Sequence, residues 1–103
     1  MASIATIVTG RAKAGKRDEL YRLFEQQLKP RAERNGAQQA VVWIADELDP
    51  QTFHLFEIYR DRESMDANAR AEWFGAYMAQ AGPLLDGQPQ MRMGSVRWAN
   101  SAT

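Results

Sequence analysis

The sequence contains no cysteine and a single histidine, His54. Without thiols there is no disulfide, no thiolate nucleophile and no thiolate metal site, and one imidazole excludes a multi-histidine metal centre. Charge of one sign is also missing. The 13 Lys and Arg are matched by 13 Asp and Glu, so no summed field gathers nucleic acid or an anionic membrane, and neither is expected as a partner. No segment approaches the roughly 18 apolar residues of a membrane span, and "MASIATIVTG" lacks the basic start and long apolar core of a secretory leader. The expectation is a soluble cytoplasmic protein with no metal, whose redox chemistry would have to come from its substrate or a bound cofactor. A chain of 103 residues forms one domain, 1–103, which buries about two thirds of the surface its unfolded form exposes. Repeats and low-complexity linkers are absent.

What is present is a sequence of alternating strand and helix signals. "SIATIVTG" is a β-branched run that ends in Gly10 and gives way to a small, basic loop. "KRDELYRLFEQQLKPRAERNG" places Leu20, Leu23, Phe24 and Leu28 at helical spacing, with Asn35 and Gly36 as terminator and Pro30 as a kink or irregular last turn. "AVVWIA" and "TFHLFEIY", separated by the turn residues "DELDPQ", predict a hairpin over 38–60. After Asp61, helix formers with apolar positions at Met65, Trp73, Tyr77 and Met78 predict helix, broken near Arg70, with Asp61 or Ser64 as N-cap. "MRMGSVRW", 91–98, is the last strand, before a polar tail.

Strand, helix, strand, strand, helix, strand is the order of a ferredoxin-like split βαβ sandwich: an α+β fold with one antiparallel sheet and helices on one face. In "IATIV", "AVVWI" and "FHLFEIY" apolar residues occupy both parities, so both sheet faces need cover. Two helical segments cover one. The other is expected to meet the sheet of a second copy in a two-fold homodimer.

"AGKRDEL", "RAERNG", "DPQTFHLFEIYRD" and "ESMDANARAEWF" resemble successive blocks of the antibiotic biosynthesis monooxygenase-like family, in order over about residues 4–98. The resemblance implies a dimeric α+β barrel with a pocket between sheet and helices. In characterised relatives that pocket oxidises phenols, anthrones or hydroquinones with molecular oxygen and without flavin or metal. Many relatives carry histidine where this chain has Asn68, and a second one near the aromatic pair where it has Trp73 beside Phe74. Haem-degrading proteins of similar fold use a first-strand asparagine and a later histidine. Here no asparagine precedes Asn35 and no histidine follows His54, which disfavours haem.

Triplet oxygen reacts with an organic molecule that is ionised to an electron-rich phenolate or enolate, so the substrate serves as its own cofactor. The protein must supply an apolar cavity, hydrogen bonds that favour the anion, and flat walls. Asn68 is the candidate to bond a substrate oxygen and Tyr59 to donate or accept. Trp73, Phe74, Phe53 and Tyr77 are the candidate walls. By period two, Phe53, Leu55, Glu57 and Tyr59 share one strand face; if that face looks toward the helices, a partly buried Glu57 with raised pKa is the candidate base.

Each residue also has a plainer reading. Asn68 is a solvated or locally bonded helix residue, the aromatics are core, and Glu57 pairs with Arg92 or Arg97 of the last strand. His54 shares the opposite face with Phe56 and Ile58 and points to an edge or the dimer interface. "GRAKAGKR", Gly10 to Arg17, follows the phosphate-loop pattern until Arg17 stands where serine or threonine would hold magnesium; its plainer reading is a basic turn feeding a helix. The functional expectation is a cofactor-independent monooxygenase or related oxidoreductase acting with oxygen on a small aromatic, anthrone or quinol-like substrate. The alternatives are a non-oxidative isomerase in the same pocket and a ligand-binding dimer without catalysis.

Overall fold

The computed structural model describes residues 3–100. Strand β1 (Ile4–Arg11) leads into helix α1 (Arg17–Gln27), where Leu20 and Phe24 bury one face at i and i+4. Helix α2 (Lys29–Arg34) carries Pro30 in its first turn. Proline has no N–H to continue the ladder of α1, which accounts for the break at Leu28. Asn35 then ends the helical segment, its side chain accepting from the Ala37 amide at 3.0 Å.

Strands β2 (Gln38–Ala45) and β3 (Thr52–Tyr59) form the hairpin. Its turn is built by short acids: Asp46 accepts from the amides of Leu48 and Asp49, and Asp49 from that of Gln51. The Arg17 guanidinium donates at 2.9 Å to the carbonyls of Asp46, Asp49 and Thr52, tying α1 to that turn. The amides of Ala12 and Lys13 donate to Gln51 and Leu84 carbonyls. Residues 12–16 are thus a basic turn between β1 and α1, with the Ala12, Lys13 and Lys16 amides already bonded within the protein.

Helix α3 (Arg62–Arg70) is capped by Asp61, whose side chain accepts from the Ser64 amide at 2.8 Å. Ala71 is extended, and α4 (Glu72–Ala81) begins immediately after it, so the segment is two helices rather than one bent one. A 3₁₀ turn (Gly82–Leu84) and Gly87, at φ +89°, release the chain into β4 (Gln90–Ser95). This strand stops short of the expected 98. Its partner β1 begins at Ile4, opposite Ser95, which leaves Trp98 beyond the ladder and 80 % exposed.

The sheet order is β2-β3-β1-β4, antiparallel throughout, with β3 and β1 central and β2 and β4 at the edges. Ala12, Leu20, Phe53 and Ala81 form the buried cluster, joined by Trp43 and Tyr77. Gly10 is required there: a Cβ would stand 2.7 Å from the Phe53 ring. On the opposite sheet face Ile7, Val42 and Ile44 are 46, 46 and 41 % exposed. Among the described residues no helix is long and apolar enough to cross a membrane.

Candidate functional site

Between the helices and the inner face of the sheet lies a cavity of about 470 Å³, lined from all four strands. Phe53 closes it at the core end, stacked parallel on Trp43 at 5.4 Å, with Tyr21 edge-on to Trp43 at 5.0 Å. Trp73, Phe74 and Tyr77 of α4 make the helical wall, Trp73 and Phe74 meeting edge to face at 5.9 Å. The Arg31 guanidinium lies 4.7 Å from the Trp73 ring centre, a cation–π contact that joins α2 to α4. All four expected wall residues thus line the same space.

The polar groups of the cavity form one connected network. Strand register sets Thr6 directly opposite Glu57, and Gln38 opposite Tyr59. The Glu57 carboxylate accepts from Thr6 Oγ1 at 3.2 Å on Oε1, and from Tyr59 Oη at 3.0 Å and Gln38 Nε2 on Oε2. Tyr59 Oη in turn accepts from Asn68 Nδ2 at 3.0 Å and Gln38 Nε2 at 3.1 Å. Asn68 reaches it because Asn68 and Met65 lie three residues apart on α3, on the face turned to the sheet. Asn68, Tyr59 and Glu57 are therefore brought together, in that order. The expected alternative partners of Glu57 are corrected: Arg92 stands opposite Ile7, on the outer face, and Arg97 lies beyond β4.

Burial is the main cause that raises the Glu57 carboxyl above its ordinary range, against the hydrogen bonds from Tyr59, Thr6 and Gln38 that favour the anion. Burial and then the Glu57 charge raise the Tyr59 phenol, and the same two causes push Tyr77 up to about 12. Both phenols remain protonated at neutral pH, and Tyr59 donates to Glu57. A carboxylate offers about four lone-pair sites, and Thr6, Gln38 and Tyr59 occupy three on Glu57. The site can accept one more proton donor, close to an amide and a phenol, inside an apolar enclosure.

Thr6, Gln38 and Arg31 were not legible as site residues. Gln38 faces inward because the strand is irregular between Gln38 and Ala40, which lets Gln38 and Val41 share a face despite opposite parity. His54 stands on the outer face as expected, half-buried, its Nε2 2.9 Å from Asp46 Oδ1 and its Nδ1 3.0 Å from Thr9 Oγ1. No group of His, Asp and Glu side chains suited to hold a metal occurs among the described residues.

The sheet, its helical cover and the enclosed cavity define an α+β ferredoxin-like protein of the kind seen in structures named antibiotic biosynthesis monooxygenases. Among solved structures, one from Nitrosomonas europaea provisionally given that name superposes with a TM-score of 0.86 at 14% identity, over 94% of this chain and 92% of the other. One from Chloroflexus aurantiacus with the same provisional name gives 0.84 at 18%, over 99% and 100%. A second Nitrosomonas europaea protein, of unknown function, gives 0.81 at 26%, over 100% and 97%. No protein-family model and no curated protein sequence matches the chain. The protomer fold that the resemblance implies is borne out in three dimensions.

Proposed function

We propose that the protein is a cofactor-independent oxygenase or related oxidoreductase that uses molecular oxygen on a flat phenolic, anthrone or quinol-like substrate. The observation that carries this reading is the Asn68–Tyr59–Glu57 chain of hydrogen bonds set into the wall of an otherwise apolar cavity. The resemblance of the fold to named monooxygenases supports it. Glu57 takes the proton of a substrate hydroxyl at its remaining lone pair, its raised pKa matching it to that task. Tyr59 stays protonated and holds the carboxylate, while Gln38 and Asn68 orient Tyr59. The resulting anion gives one electron to oxygen. Recombination at a benzylic carbon and loss of water convert an anthrone methylene and one O₂ into a carbonyl and one H₂O; a hydroquinone instead yields quinone and H₂O₂. Trp73, Phe74, Phe53 and Tyr77 hold the ring system flat and exclude water.

A second copy of the chain belongs to the proposal. The outer sheet face carries Ile7, Val42 and Ile44 exposed side by side, next to Phe56 by register, and a self-complementary two-fold dimer would cover them. One observation favours a different reading, a binding dimer without turnover: no buried polar side-chain atom among the described residues lacks a partner, so the network is also complete as a structural element. Oxygen uptake by metal-free protein with a panel of hydroquinones and anthrones, with product masses recorded, separates the two. Protein-dependent uptake with a quinone or oxygenated product, lost in a Glu57→Gln, Asn68→Ala double variant, is expected. Uptake no faster than autoxidation across the panel overturns the oxygenase.

A further inference from the structure

The chain has five methionines and no cysteine. Every methionine after the first residue, Met65, Met78, Met91 and Met93, lines the cavity. They are not equally enclosed: Met65 is 8 % exposed, Met78 39 %, Met91 59 % and Met93 46 %. Met91 and Met93 lie on the inward face of the edge strand β4, opposite Val8 and Thr6 respectively. Met93 is therefore in the same cross-strand row as Thr6 and Glu57. The thioethers of Met91 and Met93 thus form a polarisable part of the cavity wall that is open to solvent.

We propose that Met91 and Met93 are a modification site for peroxide, and that their oxidation to sulfoxides closes the cavity to apolar ligands. A thioether sulfur attacks one oxygen of hydrogen peroxide, the O–O bond breaks and an S–O bond forms. After proton transfer one water leaves; the sulfur loses two electrons and the peroxide gains them. With no thiol in the chain to compete, exposed thioethers are the softest targets available. Each sulfoxide replaces an apolar surface with a strong hydrogen-bond acceptor, and on Met93 that acceptor stands in the row of Thr6, the donor that holds Glu57 Oε1. Reduction reverses the change: a dithiol removes the oxygen as water and becomes a disulfide. The inference rests on the cavity as a ligand site and not on the oxygen chemistry proposed for it, although a quinol-oxidising site would generate this oxidant next to these sulfurs.

The test uses Nile red as an apolar probe, with full-length protein titrated with hydrogen peroxide and the modified methionines located by peptide mass spectrometry. Met91 and Met93 are expected to oxidise before Met65, and Nile red affinity to fall about tenfold, the effect of one unmatched polar group on an apolar wall. Methionine sulfoxide reductases of both epimer specificities, with a dithiol, are expected to restore it. A Met91→Leu, Met93→Leu variant is expected to keep after peroxide the affinity it had before. Unchanged affinity with both sulfurs mapped as sulfoxides, oxidation of Met65 first, or an equal loss in the leucine variant overturns the proposal, whether or not the protein consumes oxygen.

Discussion

Each face of the sheet departs in part from the usual division between polar outside and apolar inside. The inner face, under the helices, carries Thr6, Gln38, Glu57 and Tyr59, joined to one another by hydrogen bonds. The outer face carries Ile7, Val42 and Ile44 with two fifths or more of each exposed. Desolvating a carboxylate costs several kcal/mol unless partners compensate it, and leaving these aliphatic side chains partly in water forgoes roughly half of the ~1.5–3 kcal/mol that full burial of each is worth. Folding alone rewards neither arrangement. The proposed chemistry, which needs an ionisable group away from water, would account for the inner face, and the proposed two-fold dimer would account for the outer.

The contrast predicts first that the inner face is chemical. Glu57→Gln keeps the shape of the side chain and can still accept from Tyr59 or Gln38, but it cannot take a proton at neutral pH. Turnover of a hydroquinone or anthrone should fall about a hundredfold or more, the usual worth of a positioned base, with Nile red still bound. Steady-state oxygen uptake measures it, and a loss of less than threefold would remove Glu57 from the chemistry.

The outer face should break by charge. Val42→Lys with Ile44→Lys would place four lysines in the proposed two-fold interface, and sedimentation should give a dimer for the native chain and the 11.7 kDa monomer for the variant at the same concentration. Each side chain has less than half of its surface left to bury, so each lost burial is worth roughly half of the ~1.5–3 kcal/mol of full burial. A native chain that sediments as a monomer at every concentration would mean that the outer face is left open.

Much of this was legible in the residues. Period two placed Phe53, Leu55, Glu57 and Tyr59 together and His54 opposite them, because β3 is regular. Asp61, Asn35 and Pro30 marked helix ends by chemistry that needs no tertiary context. The partners of Glu57 were not legible. Thr6 meets Glu57 through strand register, and Gln38 turns inward through the irregularity at residue 39; neither leaves a local signal. Reading Arg92 or Arg97 as the partner followed from charge alone, without the register that sends Arg92 to the other face. The end of β4 was misplaced for a similar reason, since it is set by where β1 starts.

A smaller effect tests how closely the inner face is packed beside the cavity. Gly10→Ala would put a methyl 2.7–2.8 Å from the Phe53 ring, with Pro89 at 3.3 Å behind it, and Phe53 cannot retreat because it is stacked on Trp43. Overpacking of this kind costs about 1–3 kcal/mol. Chemical denaturation should show that loss, and Phe53→Leu in the same chain should recover part of it by removing the ring. Failure of the second change to help would mean that the backbone, not the ring, resists the methyl.

The smallest effect is the pH dependence of stability, where two kinds of carboxyl oppose each other. Glu57 has its folded pKa raised above the ordinary 4.5, chiefly by burial, so the folded state binds its proton more readily than the unfolded chain does. Its burden on stability is complete above the folded pKa and fades as pH falls toward 4.5. Asp46, Asp49 and Asp61 are lowered below 3.8, first by hydrogen bonds from His54, from the Gln51 amide and from Ser64 respectively. Their contribution is complete above 3.8 and is lost only as pH falls further, through their folded values. The two ranges do not overlap. Urea midpoints of native protein and the Glu57→Gln variant, followed downward from pH 8, should therefore show the native chain gaining on the variant until about the ordinary glutamate range, after which both fall together as the aspartates titrate. A difference between the two that stays constant across that range would place the Glu57 charge in water, and with it would go the contrast between the two faces of the sheet.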